Sequence, residues 1–208
     1  MSPKKTIKKN LILDAAIKVF ADKGYHYATI EDIAKEAGIA KGSIHAYFEN
    51  KLDVLLSIML LFWQKINAAN DRKIACQKNP VDSLKAVFGT FQDMLLHDRQ
   101  SLYWGKILQE ALPKIHMIKS ERLQQKQLDI ENERNRLIQT IDDVIRKGQK
   151  QGRIKKTVTH QILRQILGGS SQMLVYGLFI KFNQGGGIGY GENDVKDALN
   201  ILIDMFSV

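Results

Sequence analysis

Two short stretches with helical apolar spacing, "TIEDIAKEA" (29–37) and "KGSIHAYF" (41–48), are separated by only Gly38, Ile39 and Ala40. A three-residue joint containing glycine brings two helices together at a sharp angle, the arrangement of a helix-turn-helix. Ile33, Ala34 and Ala37 give the first helix a stripe to bury, small Ala34 permits close approach, and Ile39 and Ile44 fill the angle. Thr29 can cap the first helix, and Asp32 three places on weakly resembles a capping box. Gly42 lies near the start of the second helix, where a missing side chain lets the backbone approach a phosphate. Ser43, Ala46 and Tyr47 are left facing outward, and Asn50 can cap a further helix starting at Lys51.

The rest of the chain also reads as helix. Of its 208 residues only three are proline, and no long stretch alternates with period two. Apolar spacing predicts a first helix over Thr6–Lys23, closed by Gly24. After Lys51, helices are expected through "LDVLLSIMLLFWQKI", over Pro80–Leu96, in "SLYWGKILQEAL", and over about 121–147, 159–182 and 193–206. The expected architecture is all-α, with a three-helix head over residues 1–51 and a larger helical domain over 52–208. One cysteine, Cys76, excludes an intrachain disulfide and fits a reducing compartment. The basic N-terminus lacks a signal peptide's apolar core, and the apolar run "VLLSIMLLFW" is far short of the ~20 residues that span a bilayer. A cytoplasmic protein without membrane attachment is expected. Net charge is +9, which suits an acidic partner or serves solubility.

The stretch "GYHYATIEDIAKEAGIAKGSIHAYFENKLDVLL" resembles the DNA-binding head of the tetracycline-repressor (TetR-type) family of transcription regulators. Gly24, Tyr25, Thr29, Ile33, Ala34, Ala37, Gly38, Gly42, Ile44, Tyr47, Phe48, Lys51 and Leu55 carry the likeness. "RKGQKQGRI" resembles the family's turn before a late helix. The resemblance implies a DNA operator as partner, with Thr29, Lys41, Gly42, Ser43, His45, Ala46, Tyr47 and Lys51 at the interface. His45 stands where the family commonly has tyrosine; histidine can still donate to a phosphate. No arginine precedes Arg72, so Lys41 is the candidate for a guanine contact. Ser43 can reach a base or phosphate, and Ala46 a thymine methyl. Tyr47 and Lys51 look like phosphate anchors, Lys51 beside a helix N-terminus. Thr29 can cap or touch phosphate; Glu31 can accept from cytosine or stand as an exposed acid. Lys4, Lys5, Lys8 and Lys9 lie along the DNA backbone or are solvated.

One half-site gives a lone head little affinity, so a two-fold homodimer on a palindrome is expected, its interface in the last two long helices. "LGGSSQMLVYGLF" supplies small residues for close approach there, although a pocket wall or intrachain packing uses them equally well. Phe88, Phe91, Met94, Tyr103, Trp104 and Tyr176 are candidates for a ligand pocket, against an ordinary core role. "QGGGIGYGEN" fits neither phosphate-loop spacing and reads as a connector. The five histidines show no metal-ligand spacing, no nucleophile–base set stands out, and no cofactor is expected.

Within the family the head looks most like regulators of fatty-acid metabolism. Residues 1–51 hold nine lysines against six acids, so the remainder supplies +6 of the +9, much of it between Lys106 and Lys156. An apolar cavity beside a basic rim suits a fatty acyl chain on a phosphorylated carrier such as acyl-CoA. A solvated basic face with a small hydrophobic effector is the other reading. The sequence thus points to a ligand-released DNA-binding repressor. The contrasting possibility is a helical binding or enzyme module without specific DNA binding.

Overall fold

A computed structural model describes residues 3–96, 118–184 and 191–208. The described residues form eight helices: α1 (Pro3–Tyr27), α2 (Ile30–Glu36), α3 (Lys41–His45), α4 (Lys51–Ala75), α5 (Pro80–Leu96), α6 (Glu121–Lys150), α7 (His160–Gln184) and α8 (Glu192–Met205). The all-α expectation holds. The first helix is longer than its apolar spacing suggested, because a proline is tolerated in a first turn. Its regular part ends at Gly24 (φ 75°, ψ 155°), and one more turn follows. The stretch "SLYWGKILQEAL" and most of the "QGGGIGYGEN" connector lie outside the described residues.

The chain divides into two compact units, residues 1–63 with 103–132, and 64–102 with 133–208. In the first, α1, α2, α3 and the start of α4 enclose one apolar core of Ile12, Ala16, Phe20, Tyr25, Ile33, Ile44, Phe48, Val54 and Leu55 among others. Leu123 and Ile130 of α6 pack with Leu56 in a second cluster of this unit. In the second unit α5 packs on α7 and α8, and α7 on α8. The buried stripes are Leu84, Val87 and Phe88; Leu163 and Leu167; and Val195, Leu199 and Ile203. At the "RKGQKQGRI" turn Gly148 is required by close approach: a Cβ there would lie 2.5 Å from Ile154 Cδ1. The turn is tied to the C-terminus, with Lys155 N donating to Phe206 O at 2.8 Å and Val208 N to Arg153 O at 3.1 Å.

By length and composition α4 could cross a membrane, with mean hydropathy 1.4 over its most apolar window. Its polar residues Asp53, Ser57, Asn67 and Asn70 are buried among protein, as in a core helix. Burial along it is continuous only over residues 53–58; Met59–Trp63 are half-buried, less enclosed than an all-apolar run suggests.

Candidate nucleic-acid interface

The joint between α2 and α3 is built by local chemistry. Thr29 caps α2: its hydroxyl accepts from Asp32 N (3.1 Å) and donates to Asp32 Oδ2 (2.8 Å), while Thr29 N donates back to the same carboxylate (3.0 Å). The capping box is complete. Hydrogen bonds from Lys23 and Thr29 hold the Asp32 carboxyl at about 2, well below its usual range. At the other end Gly38 takes φ 65°, Ile39 N donates to Ala34 O (3.0 Å) and Gly38 N to Lys35 O (3.2 Å). That pair is the Schellman closure, which needs a left-handed residue after the cap.

The closed joint sets the outward face of α3. Ile44 and Phe48 are buried, which leaves Lys41, Gly42, His45 and Ala46 exposed and Ser43 and Tyr47 half-buried. No described residue comes within 4 Å of a Cβ at Gly42, so the packing of the described residues does not demand glycine there. Lys41 is paired with Glu31 at the start of α2, and its ammonium holds the Glu31 carboxyl below the usual range. Both side chains are exposed, and such a pair contributes little to stability. Thr29 is exposed, with its hydroxyl engaged in the cap.

Lys51 points inward. Its Nζ donates to the carbonyls of Tyr25 (2.6 Å), His26 (3.0 Å) and Ala28 (2.5 Å) and lies 4.8 Å from the Tyr25 ring centre. These carbonyls close the end of α1, where a cation is favoured. In this conformation the residue expected to anchor phosphate instead joins α1 to the start of α4. Burial pushes the Tyr25 hydroxyl up to about 12. Asn50 caps α4 as expected, accepting from Asp53 N at 3.0 Å.

Sequence reasoning missed Asp53, and read Arg122 and Lys126 as part of the basic rim between Lys106 and Lys156 for a carrier's phosphates, whereas both pair with Asp53. Asp53 is wholly buried and paired with both cations. The available signal was a lone acid in the apolar run "LDVLLS". Nothing local points to partners some seventy positions away.

Of the pocket candidates, Phe88 is buried in the α5 core, and Phe91 and Met94 are half-buried on the same helix. Tyr103, Trp104 and the Tyr176 side chain lie outside the described ones. The second unit also buries Asn70 and Ser171, whose side-chain polar atoms have no hydrogen-bond partner among the described residues. No group of three or more metal-ligating side chains occurs among the described residues.

Residues 12–58 match the sequence pattern of the family described as "Bacterial regulatory proteins, tetR family". Over 166 residues the chain is 27% identical to the fatty acid metabolism regulator protein of Bacillus subtilis, covering 76% of this chain and 77% of that protein. The fatty acid degradation regulator FadR of Bacillus halodurans superposes with a TM-score of 0.75 at 22% identity, over 98% of this chain and 95% of the other. FadR of Bacillus subtilis, solved in complex with stearoyl-CoA, superposes with a TM-score of 0.73 at 23% identity, over 93% and 96%. At these identities the two structures establish the shared fold.

Proposed function

We propose that this chain is a transcription regulator with a tetR-type head, acting as a homodimeric repressor released from a palindromic operator by a long-chain acyl-CoA. The observation that carries the DNA-binding part is the closed α2–α3 joint, which presents Lys41, Gly42, Ser43, His45 and Ala46 from a buried base of Ile44 and Phe48. Lys41 leaves its exposed pair with Glu31 to read guanine, a contact worth about 1–3 kcal/mol of discrimination. Gly42 lets a phosphate approach the backbone, Ser43 and His45 donate to phosphate or base, and Ala46 meets a thymine methyl. Tyr47 and Thr29 flank the contact at the DNA backbone. Lys51 supports the head from within.

Dimerisation is supported by apolar side chains left uncovered on the last two helices. Ile162 and Met173 of α7 and Ile201 and Met205 of α8 are 49–68% exposed. A Cβ at Gly168 or Gly169 would meet no described residue within 4 Å, which leaves room for close approach of a second copy. Two copies place two heads on successive major grooves, about 34 Å apart.

The acyl-CoA reading is supported by the stearoyl-CoA complex of the FadR relative and by the apolar Phe88, Phe91 and Met94. The residues following the head, which supply +6 of the net charge, would meet the carrier's phosphates. Release follows only if the acyl-bound form disfavours the head spacing that fits the operator. The chain has no catalytic role in this reading and works in the cytoplasm, unattached to membrane. A gel shift on the gene's own upstream region tests it, with stearoyl-CoA, stearate and CoA as competitors. Release by stearoyl-CoA alone is expected. Stable complexes in its presence, or no binding to any upstream fragment, would refute the proposal.

A further inference from the structure

Asp53, one turn into α4, is fully buried, and its partners come from elsewhere in the first unit. One carboxylate oxygen accepts from Lys126 of α6. The other lies 3.3 Å from Arg122 Nη2 and accepts from the backbone N–H of Glu49 at 2.9 Å. Lys126 also donates to Ser57 Oγ (2.7 Å). Arg122 Nη2 donates to the backbone carbonyl of Tyr47 at 2.7 Å, and its Nε is 3.9 Å from Glu49 Oε1. Ser120 Oγ donates to Glu49 Oε2 at 2.9 Å. Lys9 of α1 is near as well: burial and the repulsion of Lys126 lower its pKa, against the pull of Asp53.

A buried carboxylate needs a partner, and one well-placed cation with added hydrogen bonds meets that need. Here Lys126 is such a cation, itself mostly buried. Arg122, one helical turn earlier and half exposed, adds a second cation beside Asp53 and Glu49. Its guanidinium spans Asp53 and the Tyr47 carbonyl, which is the backbone just leaving α3. The Glu49 amide two residues on is held by the same acid. The segment that fixes where α3 ends is therefore gripped from α6, through Nη2 of Arg122. α6 continues unbroken to Lys150.

We infer that Arg122 is a positioning residue that latches the first turn of α6 to the end of α3, so that α6, together with Asp53 of α4, sets the pose of the DNA-reading helix. This rests on the reading that α3 contacts DNA. The test uses the full chain with Arg122→Ala, and with Arg134→Ala as control. Arg134 is exposed on the same helix and shares the charge loss. Amide hydrogen exchange at Phe48 and Glu49 is expected to speed up about tenfold or more in Arg122→Ala alone. Operator affinity is expected to fall about tenfold below that of Arg134→Ala, while affinity for scrambled DNA matches it. Exchange equal to the control overturns the latch. So does faster exchange with operator affinity equal to the control, or outright unfolding of the head by Arg122→Ala. The exchange arm needs no DNA, so a wild-type chain that binds no operator would sink the functional proposal while exchange still decides the latch.

Discussion

The head and the second unit are finished to different degrees. In the head, the buried acid Asp53 is satisfied, the joint is capped at both ends, and the apolar core is continuous from Ile12 to Ile58. In the second unit, Asn70 and Ser171 bury polar atoms without partners among the described residues, while Ile162, Met173, Ile201 and Met205 leave apolar surface uncovered. A buried polar group without a partner costs about 1–3 kcal/mol, and proteins rarely carry one without a use. The contrast sets a head whose buried charge is satisfied within one chain beside a unit that the proposed second copy and ligand would complete.

The largest expected effect strikes the head. Phe48→Ala should cost about 3–5 kcal/mol in urea unfolding and abolish operator binding, because a wholly buried ring is removed from the core under α3. A loss below about 1 kcal/mol would mean the core collapses around the gap. On the other side, Met173→Asp with Ile201→Asp should leave helicity intact and yield a monomer by sedimentation. Operator affinity should then fall about a hundredfold, as one half-site is lost. A dimer that survives both changes would place the interface elsewhere.

Lys51→Met sharpens the view of the head as self-contained. Three carbonyls and the Tyr25 ring lose their cation, so stability should fall by about 1.5–3 kcal/mol with the salt dependence of DNA binding unchanged. Unchanged stability with a salt slope about one unit smaller would instead make Lys51 a phosphate contact. Lys41→Ala should weaken operator binding by about 1–3 kcal/mol and scrambled DNA less. Equal losses on both would demote Lys41 to the backbone.

The smallest effect concerns acid. Asp32 has its pKa lowered from 3.8 to about 2 by Lys23 and Thr29. A lowered carboxyl contributes stability that is fully present above about pH 4 and lost as pH falls through about 2. Asp32→Asn should flatten the unfolding curve in that window alone. The same pH dependence in the variant would assign it to other carboxylates.

Much of the head was legible because its determinants are local. Thr29 with Asp32, Gly38 before Ile39, and Asn50 with Asp53 each act within a few residues, and the structure shows each bond. The Pro80–Leu96 helix was bounded by proline and periodicity alone. The direction of Lys51 was not legible, since a lysine beside a helix start can face phosphate or fold back on the helix before it. The Asp53 cluster was hidden for another reason. Its cations sit on α6, and periodicity says which residues are buried but not which distant partner a buried charge meets. The same limit left Asn70 and Ser171 unnoticed.

Native mass spectrometry of the chain with its upstream duplex tests most directly whether the second unit is completed by a second copy and a ligand. Two copies per duplex are expected. On adding stearoyl-CoA, free dimers carrying the acyl-CoA should replace the complex. A single copy on the duplex, or a complex that persists with stearoyl-CoA bound or ignored, would contradict this.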